Sequence, residues 1–379
     1  HAEFFAKLGA EAPPRVFSGE SEVWLDRLEA DYDNFRTALA WLEDDSESLE
    51  LSGNLMIGLV WLWYRRGYLN EAHVWFAKAV AAAGPLGWDP LRGNILLHAG
   101  AIEMWRSDLD AAVRLMDEGV AILREVGEPT DRAIALFTRG VLAVNRGHAE
   151  RARTLLEETL DLCRQVGQRW FEAMSLLHLG NAALRRGDVA GARERIEASL
   201  ALSEVVGDPW ITASAANNLG EIARYQGDYG EAEGYYRESR TLFERVGSRS
   251  DVAREKHSLG YVALSRGDHA QARELFEQSL EAQEQLGMKR GVVEALAGLA
   301  AVVGAQGEAE TAVRALAAAQ AAFERLDGGI WPADEAEMER ALAAARGALN
   351  EGEFEAALEE GRGLEMDAAL GVVRRTLAG

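Results

Sequence analysis

Along most of this chain apolar residues fall at i, i+3, i+4 and i+7, the stripe that one face of a helix requires. The stripes come in pairs. In "NNLGEIARYQGDYGEAEGYYRES" (Asn217–Ser239) one stripe closes at Gln226-Gly227-Asp228 and a second opens directly after it. Glycine at such a turn supplies the positive φ of a helix C-cap, and aspartate can cap the helix that follows. The pattern predicts two helices joined by a short turn, and it returns every forty residues.

The period shows in single columns. Gly100, Gly140, Gly180, Gly220 and Gly260 share one position, followed by Ala300. Gly67, Ser107, Gly147, Gly187, Gly227, Gly267 and Gly307 share a second. Gly87, Gly127, Gly167, Gly207, Gly247 and Gly287 share a third, followed by Asp327. Alanine fills a fourth from Ala72 to Ala312, and no insertion breaks the phase over seven units. Glycine inside a helix costs about 1 kcal/mol against alanine. Its recurrence in the first helix therefore predicts close helix–helix contact, as does the small column Ala79, Gly119, Thr159, Ser199, Ser239, Ser279 and Ala319 on the second.

Leu219, Gly220, Ala223, Gly227, Asp228, Tyr229, Ala232 and Tyr236 resemble the tetratricopeptide repeat (TPR). The usual unit has about 34 residues, so forty implies slightly longer helices; the consensus proline is absent, with Glu244 near its place. The resemblance implies an all-α fold: a right-handed TPR superhelix, or α-solenoid, of seven 40-residue helix-turn-helix repeats with helical caps at both ends. Residues 48–327 form the array, 1–47 an N-terminal helical cap or linker, and 328–379 a C-terminal helical cap.

The ends carry a second resemblance. Trp24, Leu28, Asp33, Asn34, Arg36, Ala38, Leu39 and Trp41 are similar to the segment that introduces the repeats of bacterial STAND-type regulatory ATPases, among them LuxR- and SARP-type regulators. Trp331, Pro332, Glu339, Ala345, Phe354, Gly361 and Leu364 match the C-terminal cap of that group. The resemblance implies a sensor domain that binds a peptide, protein or small-molecule effector and docks on a nucleotide-binding domain elsewhere in the polypeptide. The chain starts without Met inside an amphipathic pattern, which reads as a piece of a longer protein. The alternative is a free-standing TPR scaffold holding an extended peptide or partner protein.

In such an array the first helices line the concave groove. Repeat phase places Asn181, Arg185, Asn217, Glu221, Arg224, Tyr225, Arg254, His257 and Tyr261 on the inward columns as the candidate contact surface. Arg and Tyr are favoured anchors, and asparagine amides can bond a backbone or a hydroxyl. The preceding repeats offer a possible apolar half of the groove, Trp61, Tyr64, Trp105 and Phe137. Seven of the ten tryptophans lie in the first 105 residues, and residues 1–45 are candidates to cover this half.

Composition narrows the partners. The formal charge is −22, opposite to the clustered Lys and Arg that nucleic-acid binding draws on. No run of eighteen apolar residues suggests a membrane span. One cysteine, Cys163, excludes an internal disulfide, fits a cytoplasmic setting and falls in a core column with Leu123 and Phe243. No G-x-x-x-x-G-K-[ST] is present, and no Cys/His spacing suits a metal. His257 is the one inward histidine and has neither nucleophile nor paired acid beside it in the pattern, so no catalysis and no cofactor are expected.

Overall fold

The computed structural model describes residues 2–43, 48–326 and 329–378. Among them all regular structure is helical. Residue 47, where the first expected boundary falls, and residues 327 and 328, where the second falls, lie outside the described residues. So does Asp327 of the third glycine column.

Four helices precede the pairs: α1 (Ala2–Glu11), α2 (Pro13–Val16), α3 (Ser21–Ala30) and α4 (Tyr32–Glu43). The pairs are α5 (Leu49–Arg66) with α6 (Leu69–Ala83), α7 (Pro90–Trp105) with α8 (Leu109–Val126), and α9 (Pro129–Asn145) with α10 (Ala149–Val166). Next come α11 (Arg169–Arg185) with α12 (Val189–Val206), α13 (Pro209–Gln226) with α14 (Tyr229–Arg245), and α15 (Arg249–Ser265) with α16 (His269–Leu286). The last pair is α17 (Lys289–Ala305) with α18 (Ala309–Arg325), and α19 (Pro332–Ala348), α20 (Glu351–Arg362) and α21 (Met366–Ala378) follow. The all-α repeat solenoid expected from the sequence is the fold observed.

The turn chemistry follows the columns. Gly67, Gly147, Gly187, Gly227, Gly267 and Gly307 all have positive φ. Ser107, in the same column, takes φ 66° as well, the one non-glycine to do so among the described residues. Asp188, Asp228 and Asp268 then cap the second helices, accepting from the backbone N–H three residues on at 2.9, 3.0 and 3.0 Å. Gly127 departs from its column, with φ −77° and ψ 152°. Glu128, which precedes Pro129, is extended as well, and α9 opens with a Glu128/Asp131 capping box.

The helix-interior glycines mark close packing, as expected. A Cβ at Gly220 would meet the ring of Tyr236 at 2.7 Å, and one at Gly260 would meet Phe276 at 2.7 Å. In the small column, Ser199 and Ser279 each donate at 2.8 Å to the carbonyl of Ala173 and Ala253 on the partner helix.

The chain forms two compact units, His1–Ala215 with Leu242–Arg249, and Ala216–Thr241 with Ser250–Gly379. The division runs through α13 and α14. In the first unit α1 packs on α5 so closely that Gly58 has no room for a side chain against the carbonyl of Gly9. Leu25, Leu28, Phe35 and Leu42 of α3 and α4 are buried with Leu59, Leu62, Trp63 and Phe76 in one core. In the second unit α20 and α21 pack on α18, and α19 packs on α17 and α18. Leu370 and Val373 thereby join the core built on Phe276, Leu299, Val302 and Leu316.

Candidate functional site

The inward residues of the first helices sort into two groups, one in each unit.

In the first unit the apolar candidates are half-buried or buried; Trp61, Tyr64 and Trp105 touch one another, and Phe137 meets Trp170 and Phe171. Tyr64 stacks on Trp105 at 4.3 Å between centroids, Trp61 lies 5.5 Å from Tyr64 and 5.7 Å from Trp105, and Phe137 is 7% exposed. Phe17, which precedes α3, approaches Trp61 at 5.6 Å, Trp170 at 4.7 Å and Phe171 at 5.1 Å. The N-terminal segment therefore does cover part of this aromatic face. Beneath it lies an ion pair that the repeat pattern does not announce. Arg65 and Asp208 are both fully buried and 3.3 Å apart. Asp208 also accepts from Ser21 Oγ at 3.0 Å, Trp170 Nε1 at 2.8 Å and the Trp210 backbone N–H at 3.0 Å. The Arg65 guanidinium lies over the rings of Trp210 and Trp61 at 5.0 and 5.5 Å. Asn181 and Arg185, at the end of α11, remain half-buried.

In the second unit Arg224 and His257 meet α19, with Glu221 and Tyr261 against Arg224. Asn217, Arg224, His257 and Tyr261 are buried, and Glu221, Tyr225 and Arg254 are half-buried. Arg224 Nη2 donates to Asp334 Oδ1 at 2.7 Å and to Glu221 Oε2 at 2.7 Å, and Arg224 Nε donates to Tyr236 Oη at 3.2 Å. Glu221 accepts from Tyr236 Oη at 2.7 Å and from Ser258 Oγ at 3.0 Å. His257 Nε2 lies 3.2 Å from Asp334 Oδ1, and the Tyr261 ring faces the Arg224 guanidinium at 4.9 Å. One turn along α19, Glu337 accepts from Tyr229 Oη at 3.1 Å. Arg254 pairs on its own helix with Asp251 at 3.2 Å.

The sequence reading placed Arg224, His257 and Tyr261 at an open groove; they are sealed instead. Asp334 supplies the counter-charge from 110 residues further on, a distance that a forty-residue pattern cannot encode. Burial alone would raise the Asp334 carboxyl, but Arg224 and then His257 outweigh it and hold it well below the usual carboxylate range. Burial likewise works against the Arg224 charge, while Glu221, Tyr236, Asp334 and Glu337 together raise its pKa. Asp208, Asp334 and Glu337 are the residues that sequence reasoning missed, along with the pairing of the inward Arg65. The signal for Asp334 was its place in the first turn of a helix opened by Pro332, where an acid suits the helix dipole.

Elsewhere the chemistry is that of a core. Burial pushes the Cys163 thiol up to about 12, so it is a poor nucleophile. Burial also pushes Glu255 up to about 8, with one oxygen bonded by Ser239 Oγ at 2.9 Å. No group of His, Cys, Asp and Glu among the described residues is arranged to hold a metal, and no described helix is long and apolar enough to cross a membrane.

Residues 171–245 and 256–286 match tetratricopeptide-repeat family models. No curated protein matches the sequence. Among solved structures, a Rap protein complexed with Competence and Sporulation Factor is similar over 100% of this chain and 99% of its own, at 14% identity and a TM-score of 0.70. The Rap conjugation gene regulator of the plasmid pLS20, in complex with the Phr* peptide, is similar over 84% of this chain and 79% of its own (13% identity, TM-score 0.54). A STAND protein with a tetratricopeptide repeat sensor from Pyrococcus horikoshii is similar over 86% of this chain at 15% identity and a TM-score of 0.51; this chain spans about half (54%) of its length. At these identities the likeness is one of fold. Residues 171–245 and 256–286 thus carry tetratricopeptide repeats, within an all-α repeat fold like that of these structures.

Proposed function

We propose that this tetratricopeptide-repeat chain is a non-catalytic receptor, the sensor part of a STAND-type signalling ATPase that works in the cytoplasm. In this reading residues 48–327 are the sensing array, and residues 1–47 and 328–379 close its two ends. A peptide or protein effector lies against the inward faces of the first helices. Asn181 and Arg185 contact it in the first unit, beside the aromatic face of Trp61, Tyr64, Trp105 and Phe137. In the second, Glu221, Tyr225 and Arg254 contact it, and Asn217, Arg224, His257 and Tyr261 do so once α19 is displaced.

One observation carries the reading: an inward face of this chain already holds a polypeptide segment. Arg224, His257 and Tyr229 bind the acids of α19 by side-chain contacts at 2.7, 3.2 and 3.1 Å. A surface that grips one helix by charge and hydrogen bond is built for polypeptide, and repeat arrays use such surfaces as binding scaffolds. The fold likeness to the P. horikoshii STAND protein supports the signalling context. Effector binding would shift the larger protein only by its differential affinity for the inactive and active states.

A second reading, a free-standing peptide receptor, is favoured by the near full-length likeness to one Rap protein and by the likeness, over 79% of its length, to a Rap regulator in complex with a peptide.

Site-specific photocrosslinking tests both. A benzophenone amino acid at Asn181 or Tyr225 should capture adducts in cells that make the natural protein, whereas the exposed positions Glu157 and Glu197 should not. Equal capture at inner and outer positions sinks the receptor reading. Inner adducts to the protein's own nucleotide-binding region support the sensor, and adducts to separate peptides alone support the second reading.

A further inference from the structure

We propose that Arg224, His257 and Tyr261 form a receptor for the acids of a helical polypeptide segment, and that α19 occupies this receptor as a displaceable plug. The inference rests on the inward-face reading above and names the ligand chemistry in the second unit.

Charge assigns the two sides. The array contributes the cation and the donors: Arg224, His257 and Tyr229. The helix α19 contributes the anions, Asp334 and Glu337, three residues apart and thus on one helix face. Both bonds to Asp334 end on Oδ1, one from Arg224 Nη2 and one from His257 Nε2. Tyr261 Oη and Asn217 Nδ2 are buried without hydrogen-bond partners, and Arg224 Nη1 has only Glu337 Oε1, at 4.0 Å. A buried polar group left unpaired costs about 1–3 kcal/mol, so α19 fills the receptor without satisfying it. A ligand that brought more acceptors to the same donors would recover that energy and compete with the resident helix.

The seating of α19 makes exchange affordable. Beyond its acidic first turns, Ala341, Ala344 and Ala348 face Gly304 and Ala305 of α17 across a cleft of about 250 Å³. Alanines over a cleft bury little apolar area, and burial stabilises by roughly 25 cal/mol per Å². The cleft leaves this part of the helix loosely seated, and its hold comes from the charged first turns together with the buried Ala333, Met338 and Ala345. The ligand that fits is an amphipathic helix with acids three residues apart, its face a copy of Asp334 and Glu337.

The test uses the full chain and a fluorescein-labelled synthetic peptide with the sequence of residues 330–348. D334N/E337Q should bind this peptide at least tenfold more tightly than the parent does. The same peptide with its aspartate 334 as asparagine should bind that variant at least tenfold more weakly. Adding R224Q to D334N/E337Q should abolish binding, with circular dichroism confirming that every variant is folded. Equal affinity for the two peptides, no gain over the parent, or no effect of R224Q overturns the proposal.

Hydrogen exchange on the parent gives an independent reading. Residues 332–348 should exchange faster than α15 and α17; exchange of α19 only together with those helices would make it a fixed part of the core and overturn the plug. The crosslinks at Asn181 belong to the first unit and do not depend on α19. Failure here with those crosslinks intact removes the plug alone, and failure of both removes the receptor.

Discussion

Arg224 and Asp334 are 110 residues apart along the chain and 2.7 Å apart in space, both buried. Desolvating two charges is expensive, and the pair is retained because each compensates the other. Their partners divide the roles: Glu221 and Tyr236 hold the guanidinium from within the array, and Asp334 holds it from outside the repeats.

Removing one partner should therefore hurt more than removing both. Asp334→Ala leaves Arg224 with Glu221 and the more distant Glu337, at 4.0 Å, as its carboxylates, and we expect a loss of about 3 kcal/mol from the second unit. Arg224→Met combined with Asp334→Leu should lose less than Asp334→Ala by itself. Urea unfolding of the three variants checks this, and a double variant weaker than the single one would contradict it.

The Arg65–Asp208 pair gives the matching prediction in the first unit. Asp208→Ala strands a buried guanidinium and removes the acceptor of the Trp170 indole. A loss of about 3–5 kcal/mol is expected, with a change in tryptophan emission because Trp61, Trp170 and Trp210 surround the site. An unchanged denaturation midpoint would show that the pair contributes nothing.

Glu255 should give the second unit an inverted pH dependence. Burial, with Glu221 and Asp251 adding to it, pushes its carboxyl up from 4.5 to about 8 against the pull of Arg254 and Ser239. The folded state thus keeps a proton that the unfolded chain has released, so stability falls as pH rises through that window and levels off above it. The slope can reach about 1.4 kcal/mol per pH unit. Glu255→Gln should flatten it, as read from urea midpoints at about pH 5, 6.5 and 8. Asp334 acts in the opposite sense at the acid end: its depressed pKa contributes stability above the ordinary carboxylate range that is lost as pH falls below it.

Two glycines of one repeat should respond oppositely to alanine. Gly220→Ala drives a methyl into the Tyr236 ring, which a Cβ would meet at 2.7 Å, and overpacking of this kind costs about 1–3 kcal/mol. Gly234, inside α14, has nothing within 4 Å of such a Cβ, and Gly234→Ala should stabilise by roughly 0.5–1 kcal/mol. Thermal melts of the pair are sufficient, and a stabilised Gly220→Ala would refute the close-contact account.

The repeats were legible because their determinants are local. Gly227 and Asp228 form their turn from neighbours, and Gly220 meets Tyr236, sixteen residues away in the same unit. The ion pairs were not, because Arg65 meets Asp208 across 143 residues and Arg224 meets Asp334 across 110. Periodicity placed Arg224, His257 and Tyr261 together on one face, and the structure keeps them together. It could not say that an aspartate outside the repeats would cover them. The aromatic face was more legible: its residues and the segment 1–45 as its cover could be named, though not Phe17 in particular.

The position of Asp208 has a consequence for where such an array can change. Turns between helices are normally the places where a lineage can add residues or where a label can be inserted. The turn at 207–208 is closed to that use, since Gly207 lies against Gly19 and the aspartate after it is locked to Arg65 and Trp170. The turns at Gly167 and Gly187 have open space around them. Length variation among chains of this design should collect at open turns such as these two and avoid the one at 207, which acts as a fixed point in the series.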